Sequence, residues 1–85
     1  MQIQQENDLD KGSFFMMENG VRIAELTYSW NNNEMVIDHT EVNADYESQG
    51  LGKQLVYFAM AYAGNNNSTI LPLCTFAKSV IEKKK

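Results

Sequence analysis

LGKQLVYFAMAYAG, residues 51–64, sets Leu51, Leu55, Phe58, Ala59 and Tyr62 at spacings of four, three, one and three. That rhythm is the buried stripe of an amphipathic helix. Gly64 and the asparagine run at 65–67 end it. On its N-terminal side lies MVIDHTEV (35–42), which reads as a strand, and on its other side a short apolar stretch at 69–71 stops at Pro72. A strand, a helix and a strand in that order make a crossover unit, so the two strands run parallel and the connection is expected to be right-handed.

Upstream, SFFMME (13–18) and VRIAELTYSW (21–30) flank Asn19-Gly20. Both turn residues tolerate the positive φ of a type I′ turn, so the segment predicts a β-hairpin. NNNE (31–34) breaks the chain again before residues 35–42. In that strand alternation puts Met35, Ile37, His39 and Glu41 on one face and Val36, Asp38, Thr40 and Val42 on the other. Neither face is wholly apolar, as expected beside a polar cleft or at a sheet edge. After Pro72 a last helix turns Ala77, Val80 and Ile81 inward. The order is three or four antiparallel strands, a helix, a strand and a helix. It predicts an α/β (α+β) layer fold, with helices packed on a mixed, mostly antiparallel sheet.

The 85 residues form one domain, 1–85, without an internal repeat or linker. Folding a chain of this length buries only roughly 60 to 65% of its accessible surface, so ligand binding or self-association would add stability; the expected state is a monomer or a homodimer. Seven Lys and Arg against eleven Asp and Glu give a formal net charge of -4. Such a balance offers no footprint for a nucleic-acid backbone. The terminal EKKK is a solvated helix end. One Cys and one His exclude an internal disulfide and a zinc-ligand cluster, and no metal site is expected. The longest apolar run, residues 55–63, is about half of the roughly 20 residues that span a bilayer. The expectation is a cytoplasmic protein that does not enter membranes.

ESQGLGKQL (47–55) places Gly50 and Gly52 at the start of the long helix. A loop there concentrates unpaired N–H groups and the positive end of the helix dipole, which favours anions. The spacing fits neither GxxxxGK[ST] nor GxGxxG, because position 55 is Leu55. By itself the glycine pair is compatible with simple turn geometry or with a ligand.

HTEV closing a strand, SQGLGKQLV opening the next helix and LPLCTFAK some twenty residues on together resemble the minimal GNAT-type acetyltransferases. The likeness covers nearly the whole chain. It implies a GNAT-like sheet without the usual N-terminal helices, because the interval near NDLDKG is too short for them. It further implies that acetyl-CoA (coenzyme A) is the cofactor. The pyrophosphate would lie on backbone amides of a Q/R-x-x-G-x-G/A segment matched by residues 47–52, involving Gln49, Gly50, Leu51, Gly52, Lys53 and Gln54. The pantetheine arm would follow Glu41, Val42 and Asn43, with Cys74 and Ala77 completing the cofactor site. Two positions depart from the pattern: Glu47 stands where Arg or Gln is usual, and Ser48 where Gly is usual.

The implied activity is N-acetyl transfer to an amine acceptor, a protein or a small molecule such as a polyamine, met on an open surface. A backbone N–H near Glu41 or Val42 would polarise the thioester carbonyl. Cys74, at the tip of the last helix, has a position that lowers a thiol pKa. The resemblance gives it the role of acetyl relay or pocket wall. His39 is the candidate base, or a partner for Cys74, since only histidine titrates near neutral pH without a large shift. Tyr46, Tyr57 and Tyr62 read as packing residues. The alternative is a CoA-binding or protein-interaction module that keeps the fold without turnover.

Overall fold

Five strands, β1 (Gln4–Asp8), β2 (Lys11–Glu18), β3 (Val21–Asn31), β4 (Glu34–Val42) and β5 (Thr69–Pro72), form one sheet in chain order. Every neighbouring pair is antiparallel except β4 and β5, which are parallel. A short 3-10 helix (Ala44–Gln49) leads from β4 into α1 (Leu51–Asn65), and α2 (Thr75–Lys84) follows β5. The computed structural model describes residues 2–84. None of its helices is long and apolar enough to cross a membrane.

The β2–β3 hairpin turns at Asn19 and Gly20 with φ of 52° and 77°, the positive pair that the type I′ turn requires. β1 has no counterpart in the sequence reading, because all five of its residues are exposed and polar. Hydrogen bonds hold it in place. Gln5 Nε2 donates to the Tyr28 hydroxyl at 2.9 Å, that hydroxyl donates to Asn7 Oδ1, and Glu6 pairs with Arg22. The turn from β1 to β2 is only residues 9–10.

Both helices cover one face of the sheet. Phe14, Met16, Ala24, Leu26, Tyr28, Met35 and Ile37 meet Leu51, Leu55, Val56 and Ala59 of α1 and Ala77, Val80 and Ile81 of α2 in a single core. The α2 stripe is the one expected. That of α1 is rotated: Val56 and Ala63 are buried, whereas Phe58 is partly exposed. The Phe58 ring meets Phe14 edge-on at 5.0 Å. On the uncovered face the Arg22 guanidinium lies 3.7 Å from the Phe15 ring centroid and pairs with Glu25 at 2.7 Å.

Gly12 is where β2 passes under the Tyr28 ring. A Cβ there would come within 2.4 Å of the Tyr28 hydroxyl oxygen and 2.6 Å of Asn7 Oδ1. Because two hydrogen bonds fix that hydroxyl, Gly12→Ala should cost about 1–3 kcal/mol of stability. Urea unfolding of the variant, read as a lower midpoint with an unchanged slope, checks this.

Candidate functional site

The site begins where β4 loses its neighbour. Pairing with β5 runs from Glu34 and Thr69 to Ile37 and Pro72. There both Leu73 N–H and Cys74 N–H donate to the Ile37 carbonyl, at 3.0 and 3.3 Å. The chain then turns into α2, and Lys78 N–H closes onto the Cys74 carbonyl at 3.0 Å. Beyond Ile37 the edge of β4 is open and a notch separates it from β5 and α2.

A bulge settles what the open strand presents. Thr27 lies opposite His39 and Tyr28 opposite Ile37, so Asp38 is an extra residue without a partner. An inserted residue reverses the alternation that follows it. The expectation that Met35, Ile37, His39 and Glu41 share a face therefore fails at Asp38. Thr40 approaches Cys74 and Val42 packs against the core, while His39 and Glu41 point out from the uncovered face. His39 Nε2 and Glu41 Oε1 are 2.9 Å apart there. The structure thus brings Cys74 to Thr40 and not to His39.

The Asn43 N–H donates back to Ile23 of β3 at 2.7 Å. Strand residues alternate their polar groups between the two edges, so those of Thr40 and Val42 face the notch. The Glu41 N–H, offered by the sequence as an equal candidate, faces β3.

Cys74 Sγ lies 3.7 Å from the Thr40 hydroxyl. Partial burial pushes the thiol pKa up, but the Ala77 N–H, the Thr40 hydroxyl and the N–H groups of Phe76 and Thr40 outweigh it and hold the pKa below its ordinary value. In the thiol form the S–H donates to the hydroxyl; in the thiolate form the hydroxyl donates back. Ala77 itself is fully buried and offers the site only its backbone N–H.

At the far end of the notch Gly50 precedes α1 with φ of 72° and no side-chain cap. This left-handed conformation suits glycine and turns the chain so that the amides of Leu51, Gly52 and Lys53 open outward. The Gln54 N–H already donates to the Gly50 carbonyl at 3.1 Å, so Gln54 can contribute only its exposed side chain. Leu51 is buried in the core, and Gln49 and Lys53 are exposed on either side of the turn. Apart from the notch, a cleft of about 310 Å³ lies where β3 meets the end of β4, lined by residues 22–25 and 41–43. Among the described residues no group of His, Cys, Asp and Glu is arranged to hold a metal ion.

Residues 13–85 match the model of the GCN5-related N-acetyl-transferase family. The chain belongs to this GNAT family. A GCN5-like, provisionally assigned N-acetyltransferase from Staphylococcus aureus shares 38% identity and a TM-score of 0.72, over 98% of this chain and 79% of its own. An aminoglycoside N-acetyltransferase solved with CoA is 16% identical, with a TM-score of 0.69 over 96% of this chain and 88% of its own. A ribosomal-protein-alanine N-acetyltransferase from Brucella melitensis is 13% identical, with a TM-score of 0.70 over 89% of this chain and 62% of its own. At such identities the last two show a common GNAT fold. No curated protein sequence matches the chain. In this GNAT domain the interval between β1 and β2 is the turn at residues 9–10, too short for a helix.

Thr40 had no separate role in the sequence reading. Only the unpaired Asp38 turns its hydroxyl toward Cys74, and a bulge leaves no periodic signal. The rate of Cys74 alkylation by iodoacetamide should reach half its maximum at a lower pH than that of an ordinary cysteine. Thr40→Val should move that midpoint up, whereas His39→Gln, on the other face, should leave it in place.

Proposed function

We propose that this GNAT domain binds acetyl-CoA in the notch and transfers the acetyl group to an amine acceptor. The observation that carries the reading is the nearness of two sets of backbone donors, the first-turn amides of α1 and the open edge of β4, which come together where Gly52 approaches Val42. The residues present fit such a cofactor. Leu51, Gly52 and Lys53 offer N–H groups at a positive helix end, where a pyrophosphate is favoured. At the open edge of β4 Val42 turns its N–H and C=O toward an arm that carries amides of its own, Glu41 and Asn43 lie on either side with their backbone groups toward β3, and Gln49 and Gln54 flank the phosphates.

When bound, acetyl-CoA supplies an activated acetyl group. The Val42 N–H, pointing into the notch, is the donor for a carbonyl oxygen there. His39 Nε2–H donates to Glu41 Oε1 on the uncovered face, which leaves Nδ1 as the ring nitrogen that accepts the proton an attacking amine must lose, and the Glu41 carboxylate stabilises the resulting imidazolium. Cys74 Sγ is kept acidic by amides and the Thr40 hydroxyl, a state that suits nucleophilic work at the acyl end. With no helices above the first hairpin, the acceptor meets an open surface bordered by Glu25 and Glu41. Such a surface favours a cationic amine on a protein or a polyamine. The free thiol suits the reducing cytoplasm.

Acetyl-CoA at about one hundred times its Kd should raise stability by about 2.7 kcal/mol. Absence of a thermal shift at millimolar ligand would remove the cofactor from this reading. With labelled acetyl-CoA, label should appear on Cys74 or on an added amine. Cys74→Ala should keep CoA binding and lose transfer; binding without any labelled product across amine panels would leave a non-catalytic CoA module.

Glu47 lies in the 3-10 helix, exposed, three residues before Gly50. Its charge opposes an anion at the α1 terminus. Glu47→Arg should tighten CoA binding about threefold or more at low salt, with the gain falling as salt rises; titration calorimetry at two ionic strengths reads the change.

A further inference from the structure

The face of the sheet that the helices leave uncovered has a nearly buried serine in it. Ser13 is only 7% exposed. Strand register puts it in a straight row across the sheet: Glu6 on β1, Ser13 on β2, Thr27 on β3 and His39 on β4. Directly opposed residues share a face, so all four side chains stand on the uncovered side. On such a face a small residue is buried only where taller neighbours stand around it. Ser13 is therefore the floor of a trough. The cleft above it, about 420 Å³, has Glu6, Asp8, Lys11, Glu25 and Thr27 along its sides.

The polar groups of the trough differ in what they have to bond. Gln5, Asn7 and Arg22, close by, are all engaged with Tyr28 or with carboxylates. The Ser13 hydroxyl has no hydrogen-bond partner among the described residues, and it opens on the cleft. A hydroxyl so nearly buried and unpaired forgoes stability that a ligand can return. The walls also carry more acid than base: Glu6, Asp8, Glu25 and, beside His39, Glu41, against Lys11 and Arg22. Arg22 pairs with Glu6 at 2.6 Å and with Glu25 at 2.7 Å, which fixes both carboxylates along the trough. A cation with more than one donor suits this lining.

Building on the acetyl-transfer reading, we propose that the row Glu6, Ser13, Thr27 and His39 is the acceptor channel and that its acceptor is a linear polyamine. The reacting nitrogen lies at His39, and the chain crosses the strands over Thr27 and Ser13 to the Glu6 carboxylate. Adjacent strands are about 4.8 Å apart, and nitrogens joined by three carbons are about 5 Å apart when extended. Successive nitrogens therefore fall over successive strands. Each donates to what its strand presents: the Thr27 hydroxyl, the Ser13 hydroxyl, then Glu6 with Asp8 beyond it. The nitrogen at His39 bonds the acetyl carbon as the thioester C–S bond breaks. His39 takes the proton that this nitrogen sheds and passes it to solvent, which protonates the leaving thiolate. A lysine side chain has a single nitrogen and leaves the Ser13 hydroxyl unanswered.

The test begins on the full wild-type chain without acetyl-CoA, so it needs no variant to fold. By NMR, millimolar spermidine should shift the backbone amides of Ser13 and Thr27, whereas butylamine and a lysine-containing peptide should leave them in place. By titration calorimetry Ser13→Val, which fills the floor and removes its hydroxyl, should weaken spermidine about tenfold and keep CoA affinity within about twofold. Glu6→Gln should weaken spermidine about threefold at low salt and less as salt rises. In turnover, kcat/KM for spermidine should exceed that for butylamine about tenfold, and Ser13→Val should erase the difference. Amides that ignore spermidine, equal shifts from butylamine or the peptide, or equal kcat/KM for the two amines would overturn the channel. A chain that acetylates butylamine with no such effect of spermidine would sink the channel alone. One that binds spermidine along the row yet neither binds CoA nor acetylates any amine would sink the acetyl-transfer reading, and the acceptor role with it.

Discussion

The Ile37 carbonyl oxygen is the fork on which the rest of the molecule depends. Up to that point β4 and β5 are a regular parallel pair. Pro72 then has no N–H to continue the ladder, and the next two N–H groups, of Leu73 and Cys74, both collapse onto one acceptor. With its donors spent there, the chain has nothing left to hold it beside β4 and it winds into α2. Two consequences follow from this single congestion. The edge of β4 past Ile37 is left open, and Cys74 is delivered to the tip of a helix whose first amides turn toward its sulfur. An unpaired strand edge is ordinarily a liability, prone to pairing with another chain. Here it is recessed between two helix ends, where another strand would meet Phe76 and the first turn of α1.

The extra residue at Asp38 divides the chemistry. Without it, His39 would face the helices with Met35 and Ile37, and Thr40 would face solvent. With it, a polar pair, His39 and Glu41, stands on the uncovered face, and a hydroxyl and a thiol stand in the notch. One strand thereby serves two approaches from opposite sides. On the proposed transfer of acetyl to an amine, such an arrangement lets cofactor and acceptor arrive without displacing one another. A second extra residue, Ile23 between Ala24 and Arg22 on β3, acts in the same way and brings Arg22 to the face that carries Glu25 and Phe15.

Much of the fold was legible because its elements carry strong local signals. Asn19-Gly20 marks the hairpin, the spacing of Leu51, Leu55 and Ala59 marks α1, and Pro72 marks the end of pairing. What escaped has a physical cause in each case. β1 is built of Gln, Glu, Asn and Asp and is held through the Tyr28 hydroxyl and Arg22, so it has no apolar period to read. Phe58 looks like core by its spacing, yet the buried stripe of α1 is rotated toward Val56 and Ala63 and leaves it at the rim. The glycines at 50 and 52 were visible, but their distinct tasks were not. Gly50 supplies a left-handed turn and Gly52 supplies room for a ring from another helix. The first is a local property, and the second depends on residues 24 positions away in the chain. The largest error, the face of His39, comes from one unpaired residue, since strict alternation is the only rule available for a strand before its partner is known.

Size gives the open notch a further meaning. The described residues build one core, and the stability of so small a fold is a small difference between large terms. Three uncapped amides of α1, an unpaired stretch of β4 and two exposed apolar side chains are each a contribution that the isolated chain forgoes. They also converge on one place. A ligand that satisfies the amides, completes the strand edge and covers Leu73 and Phe76 restores these contributions together, so its binding and the folding of this region are coupled. The ends of β4, α1 and α2 all meet at Gly52, Val42 and Phe76, so loosening any one of them loosens the others. Affinity for such a ligand then depends on how well the empty notch keeps its shape. The contact between the Phe76 ring and the bare backbone of Gly52 is the local feature that keeps it.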